Sequence, residues 1–161
     1  MTGCTENLKA KIFSKTLKLN IIRKFGVKVV LDAWALLAYL QQEEPAASRV
    51  KTVLQKAEAQ KTQVFTSIIN IGEVFYNIGR RRGEQVAEET LEELRLLSFT
   101  ILPVEPETVL KAARLKIHHT LSYADAFAVL TAQELHATLM TGDPELIHIQ
   151  KIVLIEKLKR H

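Results

Sequence analysis

The chain has 161 residues, enough for one hydrophobic core and too few for two of ordinary size. Apolar residues make up 47% and charged residues 25%, the balance of a globular chain rather than a disordered one, and no apolar run approaches the roughly 20 residues that span a bilayer. The formal charge of +4 is uneven: Lys9, Lys11, Lys15, Lys18, Arg23, Lys24 and Lys28 face only Glu6 in the first 28 residues, a balance of +6, which leaves the remaining body mildly acidic at about −2.

Residues 1–26 mix apolar and basic side chains without a single period. Leu17, Leu19 and Ile21 alternate as in a strand, whereas Leu8, Ile12 and Lys15 suit a helix, so this basic arm stays unassigned and the folded domain is expected over 27–161. Lysines break every apolar block before it reaches signal-peptide length, and a cytoplasmic protein without membrane association is expected. Cys4, the single cysteine, has no intramolecular disulfide partner and no zinc-ligand spacing around it.

From Val27 the pattern clears. Val27, Val29, Val30 and Leu31 form a β-branched run ending at Asp32, as a buried central strand would. Ala33 to Gln41 is helical in composition, and Pro45 opens a second helix to about Gln60 with Val50, Val53, Leu54 and Ala57 on one face. Val64 to Thr66 is the next strand. Ser67 or Asn70 can cap a helix from about Ile68 to Arg82, and Gly83 separates it from an amphipathic helix over Glu84 to Leu97. Phe99 to Val104 is a third strand, Pro106 begins a helix to about His118, and Ser122 caps a long helix through Ala132. Two short strands, Ala137 to Met140 and Ile152 to Ile155, flank a turn at Gly142 to Pro144. Strands alternating with helices predict an α/β domain with a mainly parallel central sheet flanked by helices, whose site lies at the carboxyl ends of its strands.

Four acids occupy suggestive places. Asp32 ends the first strand, Asp143 follows the strand Ala137 to Met140, Glu73 lies in the first half of its helix, and Asp125 lies in the first turn after Ser122 among Ala124, Ala126 and Phe127. Each has a simpler role available: a cap or first-turn partner of a helix dipole for Asp125, a turn for Asp143, a surface or ion-pair position for Glu73. Asp32 is harder to place as mere structure. Together, two carboxylates about 4 Å apart repel by roughly 4 kcal/mol at an effective dielectric near 20, whereas helix dipoles return only about 0.3–1 kcal/mol each. A converging cluster therefore needs a cation, and magnesium takes one or two protein carboxylates with water and phosphate filling its shell.

The blocks VVLDAWALLAYL at 29–40, TSIINIGEVFYN at 66–77, LSYADAFAVLTA at 121–132 and ATLMTGDPEL at 137–146 together resemble the PIN-domain ribonucleases, most closely the VapC-like toxins of prokaryotic type II toxin-antitoxin pairs. The resemblance covers roughly residues 27–156. It implies a PIN-like three-layer α/β/α fold and a metal-dependent endoribonuclease. Asp32, Glu73, Asp125 and Asp143 would be its catalytic acids and its ligands for Mg²⁺ or Mn²⁺. It further implies a cognate antitoxin and a homodimer. Thr141, Ser122 and Asn70 would support the acids from behind, and capping is the plainer role for Ser122. The pattern departs from the family at Ala33, where a hydroxyl residue is usual, and at Tyr123, where an aliphatic one is.

Arg80, Arg81 and Arg82 form a short basic patch that can hold RNA phosphates or simply be a solvated helix end. The basic arm can lie on RNA or a partner, lack fixed structure, or be read from upstream of the natural start. His118 and His119 suit a helix C-terminus better than catalysis, and Trp34, Phe75 and Tyr76 suit a core or interface better than base stacking. Phosphate-loop, dinucleotide and nucleophile-elbow motifs are absent from the sequence. A PIN-like module that binds RNA or protein without turnover, and a nuclease acting on DNA, are the alternatives.

Overall fold

A computed structural model of the chain describes residues 26–160, so the basic arm, apart from Gly26, lies outside the described residues. In chain order the elements are β1 (Val27–Leu31), α1 (Ala33–Leu40), α2 (Ala46–Glu58), β2 (Thr62–Ser67), α3 (Ile68–Arg82), α4 (Glu84–Arg95), β3 (Thr100–Leu102), α5 (Pro106–His118), α6 (Tyr123–Leu135), β4 (Thr138–Thr141), α7 (Pro144–Ile147) and β5 (Ile155–Lys157). The strands make one sheet in the order β3-β2-β1-β4-β5, and every neighbouring pair is parallel.

β1 is central because it is apolar on both sides. Successive side chains of a strand point to opposite faces, and here Val29 and Leu31 enter one core while Val30 enters the other. The first core gathers Leu36, Val50, Val53, Leu54, Val74 and Ile78 from α1, α2 and α3. The second gathers Val129 of α6 and Leu146 of α7 with Ile149 and Val153. The result is the expected three-layer α/β/α arrangement, with helices on both faces of the sheet. Among the described residues no helix is long and apolar enough to cross a membrane.

The differences from the expected elements lie at the edges and ends. β3 is shorter than Phe99 to Val104 because its single partner, β2, ends at Ser67 opposite Leu102, and Pro103 has no N–H to continue the ladder. The last strand is not Ile152 to Ile155 but Ile155–Lys157, paired with Leu139, Met140 and Thr141. Val153 and Ile152 are spent on the second core instead, so an apolar run marked burial and not pairing. The turn at Gly142 to Pro144 opens a short helix, α7, capped by Asp143 with proline in its first turn. α6 runs on to Leu135, where His136 closes it in the left-handed conformation at φ 52° and ψ 43°. Of the two proposed caps for α3, Ser67 performs the role and Asn70 sits inside the helix.

Candidate active site

Parallel pairing of β1 with β4 places their carboxyl ends side by side, so Asp32 and the Thr141–Asp143 turn share one rim. Asp32 caps α1: its Oδ1 accepts from Ala35 N–H at 2.8 Å, satisfying one donor that the helix start leaves open. The residue is 1% exposed, and its other oxygen, Oδ2, is buried without a hydrogen-bond partner. Burial raises its pKa from 3.8 to about 7, and the charges of Asp125 and Asp143 add to the rise. The nearby Thr141 hydroxyl favours the charged form but falls short of hydrogen-bond geometry to Oδ2. That hydroxyl, fully buried, accepts from Asp143 N–H at 3.0 Å and so ties the turn together.

Asp143 is half-buried and caps α7, its Oδ1 accepting from Glu145 N–H at 2.8 Å. Asp125 is buried in the first turn of α6. Ser122 Oγ donates to its Oδ2 at 2.6 Å and accepts from its backbone N–H at 3.1 Å, so the serine both caps the helix and orients the acid. Desolvation raises the Asp125 pKa, the Ser122 hydroxyl opposes this, and Asp143 and Glu145 push it further up. Glu73, half-buried on α3, is raised first by desolvation and then by Asp125 and Asp143. Asp125 and Asp143 are thus the shared neighbours through which the four acids act on one another.

Asn70 is fully buried and donates its Nδ2 to Ala124 O at 3.2 Å, which fastens α3 to the start of α6. Its Oδ1 and the hydroxyl of Thr66 are, with Asp32 Oδ2, buried polar atoms lacking a hydrogen-bond partner. Arg80, Arg81 and Arg82 are exposed in the last turn of α3, about 10 Å or more along the helix axis from Glu73. Arg81 and Arg82 line a surface hollow of about 310 Å³ with Leu40, Gln41, Ile78, Thr90 and Glu93, and none of the four acids borders it. His118 and His119 close α5, where His119 is the C-cap. Phe75 packs against the first core, while Tyr76 is exposed.

Two features went unread in the sequence. Glu145 belongs to the acidic neighbourhood, acting on Asp125, although the run Asp143-Pro144-Glu145 carries the signature of a capped helix start. Trp34 lies against Gly142, a long-range contact for which the sequence gives no signal.

The donors are carboxylate and hydroxyl oxygens, the set that suits a hard divalent cation, and Asp32 Oδ2 is a buried oxygen with no hydrogen-bond partner. Among the described residues no three Asp, Glu, His or Cys side chains are grouped so as to hold one ion by themselves. An ion bound here would have to take one or two carboxylates and keep water in its remaining positions, as magnesium does and structural zinc does not.

The PIN domain family model matches residues 29–152. No curated protein matches. Among solved structures, the chain is similar to VapBC2 from Rickettsia felis bound to a promoter DNA fragment, at 12% identity and a TM-score of 0.64 over 83% of this chain and 100% of that one. It is also similar to FitAB bound to a DNA fragment, at 21% identity and a TM-score of 0.60 over 83% of this chain and 99% of that one. A third is VapC20 of Mycobacterium tuberculosis, described as a toxin that cleaves the sarcin-ricin loop, at 17% identity and a TM-score of 0.59 over 75% of this chain and 94% of that one.

Proposed function

We propose, from the premise that this chain belongs to the PIN-domain family, that it is a divalent-metal-dependent endoribonuclease and the toxin of a toxin-antitoxin pair. The observation that carries the reading is Asp32: a fully buried side chain, with one oxygen lacking any partner, whose pKa is raised by burial and further by the charges of Asp125 and Asp143. The cap on α1 accounts for one oxygen only; leaving the other buried without a partner is costly, and local penalties of this kind concentrate where function requires them.

In this reading Mg²⁺ or Mn²⁺ would bind among Asp32, Asp125, Asp143 and Glu73, one or two of them coordinating it directly and the others acting through its bound water. The ion supplies charge neutralisation at the phosphodiester and a more acidic bound water. Ser122 keeps Asp125 oriented, and Thr141 keeps Asp143 beside Asp32. Glu73, half-buried and held above the ordinary carboxylate range, is suited to take the proton that the attacking water gives up as the P–O bond breaks. RNA, rather than DNA, is the substrate assigned by this reading, and Arg80, Arg81 and Arg82 hold its backbone away from the cut. An antitoxin partner and a homodimer complete it, and the antitoxin is supported by the likeness to a solved toxin-antitoxin complex from Klebsiella pneumoniae.

The test is to incubate the purified chain with labelled RNA and with DNA in Mg²⁺, Mn²⁺ or EDTA, beside Asp125→Asn. RNA cleavage that EDTA stops, and that falls at least about 100-fold in Asp125→Asn with the fold intact, is expected. Cleavage unchanged in EDTA would falsify the metal mechanism, and cleavage of DNA alone would reassign the substrate. Binding of RNA without turnover in any metal would leave a binding module. Growth arrest on expression of this chain, relieved by a small neighbouring open reading frame, is the expected cellular result.

A further inference from the structure

Gly142 stands between Thr141 and Asp143 at the end of β4, and the Trp34 ring lies directly against it. A Cβ at Gly142 would fall 2.2–2.4 Å from three atoms of that ring, far inside contact distance, so glycine is required here by the tryptophan and not by backbone conformation. Trp34 is the second residue of α1, two positions beyond Asp32, and it is half-buried. Over the ring stands Arg160, with its guanidinium carbon 4.4 Å from the ring centroid and its Nη1 bound to Glu43 at 2.7 Å. The segment carrying Arg160 also reaches the turn directly. Lys157 pairs with Thr141, Leu158 N–H donates to Thr141 O at 2.7 Å, and Arg160 bridges to Pro45 at the start of α2.

From this packing we infer that Trp34 is a positioning residue for Asp143, and that the segment 157–160 acts through Arg160 to hold Trp34 on the turn. The inference rests on the nuclease reading for its functional consequence but not for its geometry. A flat ring pressed on Gly142 limits how far the turn can move towards α1. The Thr141 hydroxyl then meets Asp143 N–H with Asp32 close behind, and two of the proposed acids keep a fixed separation. Loss of the ring would let the turn drift, and small displacements in such a constellation weaken ion binding and turnover without touching substrate affinity.

The experiment compares wild type with Trp34→Leu, Trp34→Phe and Arg160→Ala. The first readout is hydrogen exchange of the Asp143 amide in EDTA. The second is Mn²⁺ affinity by calorimetry, and the third is kcat and KM on labelled RNA. Trp34→Leu is expected to accelerate Asp143 exchange, weaken Mn²⁺ and lower kcat by about ten-fold with KM unchanged, and Trp34→Phe to restore most of each because a flat face remains. Arg160→Ala, a change at a half-exposed side chain, is expected to give a two- to five-fold effect in the same direction, the size of an exposed cation–π contact. Wild-type exchange and Mn²⁺ affinity in both Trp34→Leu and Arg160→Ala overturn the inference while leaving the nuclease reading standing. If wild type neither binds Mn²⁺ nor cleaves RNA, the nuclease reading falls, and Asp143 exchange alone still decides whether the clamp exists.

Discussion

The neighbouring parallel strands β1 and β4 each deliver an aspartate that caps the following helix through Oδ1 at 2.8 Å, yet the two carboxylates finish in different surroundings. At the end of β1 Asp32 is buried almost completely, and its Oδ2 is left without a partner. At the end of β4 the four-residue α7 leaves Asp143 half-buried and able to meet water. Capping accounts for one oxygen at each end. It does not account for the second oxygen of Asp32, which a surface cap would leave in solvent. The same local rule thus explains the first oxygen at both strand ends and leaves a buried penalty at Asp32 that capping does not explain, which the proposed metal site would account for.

The sharpest way to break this contrast is through pH. Asp32 keeps its proton in the fold up to about pH 7, whereas the unfolded chain loses it near the ordinary value of 3.8. Between those values the folded state binds more protons, so this group's contribution is most favourable below the unfolded pKa and declines as pH rises through the folded one. The gap corresponds to about 4 kcal/mol at most. Asp32→Asn carries no charge and should be free of the decline. In EDTA, its stability relative to wild type in urea titrations should change little below about pH 4, rise between about pH 4 and about pH 7, and level off above that. Mg²⁺ or Mn²⁺ should restore part of the wild-type loss, as any ligand of the folded state does. A difference that does not vary with pH would place Asp32 in ordinary surroundings and remove the contrast.

At the other strand end the expected effects are smaller. Asp143→Ala removes the cap of α7 and should lower stability by about 1 kcal/mol, whereas Asp143→Asn, an equally good cap, should change it by less than about 0.5 kcal/mol. Cleavage should fall steeply in both. Equal loss of stability in the two variants would show that the charge of Asp143, and not its capping geometry, supports the fold.

Much of this was legible because the signals were local. The run Val29-Val30-Leu31 predicts a strand buried on both sides, and Ser67 and Ser122 announce the helices they cap, since each signal and its consequence lie within one turn. Asp32 was conspicuous for the same reason. What escaped depends on residues far apart in sequence. Nothing near Gly142 foretells that Trp34 will cover it, and nothing near Trp34 foretells Arg160. The edge strands were misjudged because an apolar run records burial, while a strand's limits are set by the neighbour it pairs with, Ser67 for β3 and Thr141 for β5.

The smallest predicted effect concerns α3, whose two ends divide the same labour. Its first half puts Glu73 among the acids, and its last turn puts Arg80, Arg81 and Arg82 in solvent, outside the ion pairs found among the described residues. If these arginines hold the RNA backbone, removing any one that binds a phosphate should lower the slope of log affinity against log salt by about 0.7, with kcat at saturating RNA unchanged. Single substitutions to Ala should alter stability by less than about 0.5 kcal/mol, because exposed helix-end positions have little packing to lose. A slope that stays constant through all three substitutions would return the patch to a solvated helix end, whose basic side chains serve only the unfavourable charge of the terminal carbonyls.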